Sequence, residues 1–419
     1  MTAKIWHPFT QHGLGQPIPE IVRAEGATLF TDDGRAIIDA ISSWWVQTHG
    51  HCHPKIITAI QEQSASLDQI IFAGWTHEPA QQLAKGLSDF LPDSLDHIFF
   101  SDSGSTAVEV ALKMALGYWH NQGHERHRIV VMDHSYHGDT IGAMSIGARG
   151  VFNQAYAPLL FDVGSIPFPN EGTEQVTLDA LTTFCTDQDN PPAALIVEPL
   201  ILGAGGMKIY SPKVLAQMHH ICQQHDVLFI ADEVMTGWGR TGTVFACEQA
   251  GITPDILCMA KGLTGGVIPL AVTAASAPIY DAHFSQDRTK MFFHSSSFTA
   301  NPIACAAANA NLQIWRNEPV QQRIDHIIAR HQEFARMLSK HNNIAAIRQS
   351  GTILAFEIDE ASGNYMSALG PQLLRFFADR GVLLRPLGNT VYLMPPYCIT
   401  DAQLSMVYGV VEEAVEHFA

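Results

Sequence analysis

Short apolar runs alternate with amphipathic stretches through the middle of the chain. Ile98–Phe100, Ile129–Asp133, Ala194–Glu198 and Val227–Asp232 are nearly continuous in apolar residues. Runs of that kind read as strands buried on both faces. Stretches with helical spacing lie between them. Ala107, Ala111, Met114 and Tyr118 trace a stripe on a helix predicted from about Thr106, and Pro212–His225 carries a second helical pattern. Strands alternating with helices predict a mostly parallel sheet flanked by helices, an α/β unit over residues 51–310. Residues 311–419 have a different texture. A helical region at 320–340 precedes Ile353–Ile358, Leu373–Gly381, Val382–Arg385, Val391–Met394 and a terminal helix at 401–418. This predicts a smaller α+β unit. Residues 1–50 contain hairpin-like pieces, Thr28–Asp39, and are expected to join it.

Composition narrows the function classes. The chain has 419 residues, 47% hydrophobic and 16% charged, which excludes a disordered chain. Its net charge is −17, with no block of Lys or Arg, so no nucleic-acid partner is expected. The seven cysteines (52, 185, 222, 247, 258, 305 and 398) are scattered and form no CxxC pair. That usage fits reduced thiols and predicts a cytoplasmic protein. The opening residues MTAKIWHPFTQ show no apolar signal-peptide core. The segment Val267–Tyr280 is interrupted by two prolines, a threonine and a serine, so no membrane span is expected. His49, His51 and His53 alternate in HGHCH without a complete four-ligand set, and the run reads as a turn rather than a metal site.

In a parallel α/β sheet, ligands bind beyond the carboxyl ends of the strands. Asp232 ends one predicted strand and Glu198 another. Ser101-Asp102-Ser103-Gly104-Ser105 follows a third, and Lys261 follows the apolar run Ile256–Ala260. Gly104 permits close backbone approach, and Ser103 and Ser105 offer hydroxyls. Thr106-x-x-Glu109 fits a capping box, and a helix N-terminus there suits a phosphate. The Gly-Lys-Ser/Thr of a nucleotide loop is missing, and an ordinary strand–turn–helix would show the same pattern. A carboxylate at a buried strand end needs a cationic partner. A lysine in a glycine-rich turn after an apolar strand is unusual, although a salt-bridged turn lysine would explain it alone. Pyridoxal phosphate requires both together: a lysine for a Schiff base, an Asp for the pyridine nitrogen, and a helix N-terminus for the phosphate.

The segments LFIADEVMTGWGRTG and PDILCMAKGLTGG resemble the signature of the class III pyridoxal-phosphate-dependent aminotransferases, of fold type I. Separated motifs follow one another in family order from about residue 5 to 415. The resemblance implies that Lys261 links the cofactor and shuttles the substrate proton, and that Asp232 partners the pyridinium. It implies that Gly104 and Ser105 bind phosphate, Tyr136 in HSYHGD stacks on the ring and faces substrate, and Glu198 lies near the cofactor. It further implies a homodimer with composite sites. The loop FHSSSFTANP would bring Ser296 and Ser297 to the partner's phosphate, with Ser295 beside the substrate. Many relatives have Gly-Pro-Thr where this chain has Ser295-Ser296-Ser297, so only the hydroxyl of Ser297 is retained.

Three further segments, IWHPFTQ, DAISSWWVQTHGHCHP and RPLGNTVYLMPPY, resemble one branch of that family. Its members move an amino group from S-adenosylmethionine to 8-amino-7-oxononanoate, giving 7,8-diaminononanoate for biotin synthesis. The resemblance implies that Trp44 and Trp45 wall the acceptor's apolar chain and that Arg385 binds its distal carboxylate. Core packing is the alternative for the tryptophan pair. Arg240 either shares the binding role or holds structural carboxylates. The branch's usual IWHPYT has Phe9 in place of Tyr here, at the residue that would stack on the donor's adenine. Lysine as donor, a class III transaminase for diamines or ω-amino acids, and an aminomutase remain alternatives.

Overall fold

The computed structural model describes residues 4–358 and 367–418. A seven-stranded sheet organises the centre, in the order His97–Ser101, Ala271–Ala275, Ile256–Met259, Leu228–Asp232, Pro192–Val197, Arg128–Met132 and Gly164–Ile166. All run one way except Ala271–Ala275, which is antiparallel to both neighbours. The sequence pattern missed that strand. Its apolar run was recognised only as too broken for a membrane span, and prolines and glycines flank it.

Alternate side chains leave each strand on opposite faces. Ile129 and Val131 pack with the helix Gly104–Asn121, whereas Val130 and Met132 pack with Glu174–Cys185 and Pro212–Gln224. Further along, Leu257, Met259, Val272 and Ala274 face Glu78–Leu87 and Pro302–Asn317. Helices therefore cover both faces and leave the strand ends as the opening. Among the described residues no helix is long and apolar enough to cross a membrane.

The chain ends meet. Ile21–Glu25, Thr28–Thr31 and Ala36–Asp39 form an antiparallel sheet, and Val382–Leu383 adds to it in parallel beside Ala36–Asp39. Ile344–Ser350, Ile353–Ile358 and Thr390–Leu393 form another antiparallel sheet. The helices Val320–Leu338 and Asp401–His417 bury Ile324, Phe334, Val407 and Val411 in the same core as that sheet. The arrangement carries the N-terminal aromatic residues and the segment around Arg385 to one side of the central sheet's strand ends.

Candidate active site

A cavity of about 240 Å³ opens at those strand ends. Its wall includes Lys261, Asp232, Tyr136, Glu198, Gly104 and Ser105, which the sequence scatters over more than 150 residues. Lys261 begins the turn after Ile256–Met259, with φ 46°, and is half-buried overall. Its ammonium end lies 5.0 Å from the Trp45 ring centre. Burial lowers the pKa of this amine to about 8, against the pull of Asp232 and Glu198 and with a smaller push from Arg240.

Asp232 ends its strand as a buried carboxylate. Oδ2 lies 2.7 Å from Nδ1 of His137, and Oδ1 accepts the Val234 N–H at 3.1 Å. His137 is buried, and its Nε2 has no hydrogen-bond partner among the described residues. His137 was not singled out from the sequence. The signal was the second histidine of HSYHGD, but its partner lies 95 residues away.

The helix after His97–Ser101 starts at Gly104, two residues earlier than its pattern suggested. Ser103 is its N-cap, and its hydroxyl and that of Thr106 exchange hydrogen bonds with each other's backbone N–H. The proposed Thr106–Glu109 box is corrected, because Glu109 is used elsewhere: its carboxylate accepts from Thr140 Oγ1 at 2.6 Å and from the Ala143 N–H at 3.1 Å. Gly104 and Ser105 thus form the first turn facing the cavity. A Cβ on Gly104 would lie 2.6 Å from Val234 Cγ1. Gly138 has φ 129°, and a Cβ there would lie 2.1 Å from Ser105 Oγ. That Oγ also accepts the Asp139 N–H at 3.2 Å. A helix N-terminus, an amine of lowered pKa and a buried carboxylate lining one cavity fit the phosphate, aldehyde and ring nitrogen of pyridoxal phosphate.

Glu198 braces this site. Oε1 accepts the Tyr136 N–H and Oε2 the Gly203 N–H, each at 2.9 Å. Burial pushes its pKa up to about 7. Tyr136 faces the cavity, and burial together with the nearby Asp139 raises its phenol above the usual range.

Phe9, Trp44, Trp45 and Arg385 line the outer part of the same cavity. The Phe9 ring lies 5.8 Å from Trp44 and 6.0 Å from Phe152. Arg385 sits 5.4 Å above the Trp44 ring and donates from Nη2 to the Phe9 carbonyl at 3.1 Å. Trp44 is 46% exposed and Trp45 8%. Trp45 packs in the core and also lines the cavity, where it presents a face to Lys261. Its indole N–H donates to the Tyr392 hydroxyl at 2.9 Å. Ser42, Ser43 and Trp45 all have φ between 55° and 64°. A left-handed conformation costs a residue with a Cβ roughly 1–2 kcal/mol. Phe152, Gly138 and Tyr392 also line the cavity, and the sequence pattern did not single them out.

One expectation changes. Among the described residues Arg240 pairs with no carboxylate: Nη1 donates to the Pro395 carbonyl at 3.1 Å and Nη2 to the Gln47 carbonyl at 2.8 Å, with the guanidinium 5.1 Å from the Tyr397 ring centre. Ser295, Ser296 and Ser297 are absent from the cavity lining of their own chain. Ser296 Oγ instead donates to Asp102 Oδ2 at 3.1 Å, and the Ser297 carbonyl accepts from Gln69 at 2.6 Å. The histidines of HGHCH diverge, with His49 bonded to Asn311, His51 to Asp39 and His53 beside Glu318. Among the described residues no cluster of His, Cys, Asp and Glu is placed to hold a metal.

The family model for class III aminotransferases matches residues 10–415. An adenosylmethionine-8-amino-7-oxononanoate aminotransferase of Synechococcus elongatus is 44% identical, over 98% of both chains. One from Geobacter sulfurreducens is 35% identical, over 98% of this chain and 95% of its own. The crystal structure of the enzyme of that name from Methanocaldococcus jannaschii superposes with a TM-score of 0.94 at 32% identity, covering 99% of this chain and 97% of that one. A PLP-bound amine transaminase from an uncultivated Pseudomonas species superposes at 0.93 with 28% identity, covering both chains completely. The chain belongs to the class III aminotransferases and is a pyridoxal-phosphate-dependent transaminase of fold type I.

Proposed function

We propose that this enzyme transfers the amino group of S-adenosylmethionine to 8-amino-7-oxononanoate, giving 7,8-diaminononanoate for biotin synthesis. The carrying observation is one wall of the cavity: an aromatic surface of Phe9, Trp44 and Phe152 with the Arg385 guanidinium beside it, in the same cavity as Lys261. An acceptor with an apolar chain between its ketone and a carboxylate matches that sequence of surfaces. A guanidinium fork suits the carboxylate, and the rings suit the chain. The relatives of 44% and 35% identity carry the name of this reaction.

Each residue then has a defined task. The first-turn N–H groups of Gly104 and Ser105 would hold the cofactor's phosphate, and Gly138 leaves room for Ser105 Oγ. Asp232, steadied by His137, would hold a proton on the cofactor's pyridine nitrogen. The bound cofactor supplies the electron sink that lets the substrate's Cα–H ionise. Near neutrality Lys261 can exist as the free amine, and its Nζ takes and returns that proton. Tyr136, fixed through its backbone by Glu198 and lining the cavity, would pack against the bound cofactor. Trp45 keeps water from the amine.

The working unit in this proposal is a cytoplasmic homodimer with two composite sites. Ser296 and Ser297 reach the partner's phosphate, and Ser295 the partner's substrate. The loop is pinned at Asp102 and Gln69 of its own chain, which leaves its outer side to a neighbour. The donor and the alternatives are separated by mixing enzyme with S-adenosylmethionine or lysine alone and following cofactor absorbance. Conversion to the aminated cofactor by S-adenosylmethionine supports the proposal. Conversion by lysine alone reassigns the donor, and conversion only by putrescine or β-alanine reassigns the enzyme.

A further inference from the structure

Trp44 and Trp45 lie on a segment whose conformation its own residues disfavour, so something must hold it. Asp39, the last residue of Ala36–Asp39, is fully buried directly before the segment. Its Oδ1 accepts the Ile41 N–H at 3.2 Å and the Ser43 N–H at 2.8 Å. Its Oδ2 accepts the Ser43 hydroxyl at 3.1 Å and lies 2.9 Å from His51 Nε2. His51 is itself fixed by a two-way backbone bridge to Gly26, with N···O distances of 3.1 and 2.7 Å. One carboxylate therefore bridges the left-handed turn to a rigid hairpin. Two other side chains help to anchor the turn: Ser42 Oγ donates to the Met394 carbonyl at 2.7 Å, and the Trp45 indole N–H to Tyr392. Ser42 lies within residues 41–43 and shares with Asp39 the hold on the segment that carries the exposed Trp44, whereas the Tyr392 contact fixes Trp45. Among the described residues Asp39 alone makes the side-chain hydrogen bonds to Ser43, the residue directly before Trp44.

We propose that Asp39 is a positioning residue for acceptor selectivity: by clamping residues 41–43 it holds Trp44 as the wall for the acceptor's chain, without touching substrate. The clamp acts on the part of the site remote from the reacting carbon. Losing it affects recognition of the chain and spares amino transfer itself. This inference rests on the proposed acceptor.

The test compares 8-amino-7-oxononanoate with 3-aminobutan-2-one, which keeps the reacting amino ketone and lacks the chain. Asp39→Ala is expected to lower kcat/KM for the long acceptor about tenfold, the affinity carried by roughly two buried methylenes. The short acceptor should change by less than about threefold. Asp39→Asn keeps an oxygen for the two backbone N–H groups and should recover most of the loss. If Asp39→Ala does not fold, Ser43→Gly removes one clamp bond and frees the turn, and the same split is expected at about threefold. Equal losses for both acceptors, or no loss, overturn the inference. Wild-type turnover of the long acceptor scores the proposed function separately. Should that turnover be absent, quenching of tryptophan fluorescence by nonanoate reads the clamp alone. Nonanoate binding about tenfold tighter in the wild type than in Asp39→Ala upholds it. Equal binding or none overturns it.

Discussion

Gly104→Ala tests the phosphate cradle through a contact whose size is known. The new Cβ would lie 2.6 Å from Val234 Cγ1 and 3.4 Å from Cγ2. Carbon atoms rest about 3.5–4.0 Å apart, so the first contact is roughly 1 Å too close. Rotating Val234 only exchanges one methyl for the other, and a β-branched side chain resists rotation. Val234 is also tied by its N–H to Asp232 Oδ1. The helix N-terminus must therefore recede. Overpacking of this kind costs about 1–3 kcal/mol, and a lost charge-assisted contact to phosphate about 1.5–3 kcal/mol. Cofactor affinity should fall roughly 10- to 100-fold, measured by titrating apoenzyme with pyridoxal phosphate. Adding Val234→Ala removes the obstructing methyls and should return affinity to within about threefold of Val234→Ala alone. Unchanged affinity in Gly104→Ala would refute the cradle, and a double variant as weak as the single one would show that Val234 is not the obstacle.

Three further outcomes are expected. In the apoenzyme, burial lowers Lys261 to about 8 from its ordinary 10.5, so the folded state holds the charge less well than the unfolded state. The resulting penalty, up to about 3 kcal/mol, is full below pH 8 and gone above pH 10.5. Apo Lys261→Met should therefore exceed wild type in stability by urea unfolding below pH 8, with the gap closing as pH rises; a pH-independent gap contradicts it. Arg385→Ala removes a contact to a carboxylate worth about 1.5–3 kcal/mol and should raise KM for 8-amino-7-oxononanoate roughly 10- to 100-fold. The donor half-reaction, followed by stopped flow, should barely change, and equal effects would place Arg385 elsewhere. Phe9→Tyr restores one hydrogen-bonding hydroxyl, worth about 0.5–1.5 kcal/mol, and should lower KM for S-adenosylmethionine by up to about tenfold. Steady-state assays showing no change would remove Phe9 from the donor's contacts.

Much of the site was legible because its chemistry sits where apolar strands end. Asp232, Glu198 and Lys261 each interrupt a run that buries itself on both sides, and each lines the cavity. What stayed hidden depends on pairings that spacing does not encode. His137 acquires its role from Asp232, and Glu109 leaves the cap for Thr140 because the fold brings residue 140 beside it. Arg240 satisfies its donors with the carbonyls of Gln47 and Pro395, partners that every residue offers and no motif marks. Ala271–Ala275 runs against its neighbours, a direction that its composition cannot reveal. Ser295–Ser297 bear on a surface outside their own chain's cavity, so neither spacing nor a single chain assigns them.

The proposed reaction is tested most directly by following the nitrogen atom. Enzyme is given S-adenosylmethionine labelled with ¹⁵N at its α-amino group, together with unlabelled 8-amino-7-oxononanoate, and the product is analysed by mass spectrometry. Transamination through Lys261 predicts 7,8-diaminononanoate carrying one ¹⁵N at C7, and none when Lys261 is replaced by Ala. Unlabelled diamine, or diamine formed only when labelled lysine replaces S-adenosylmethionine, would contradict it.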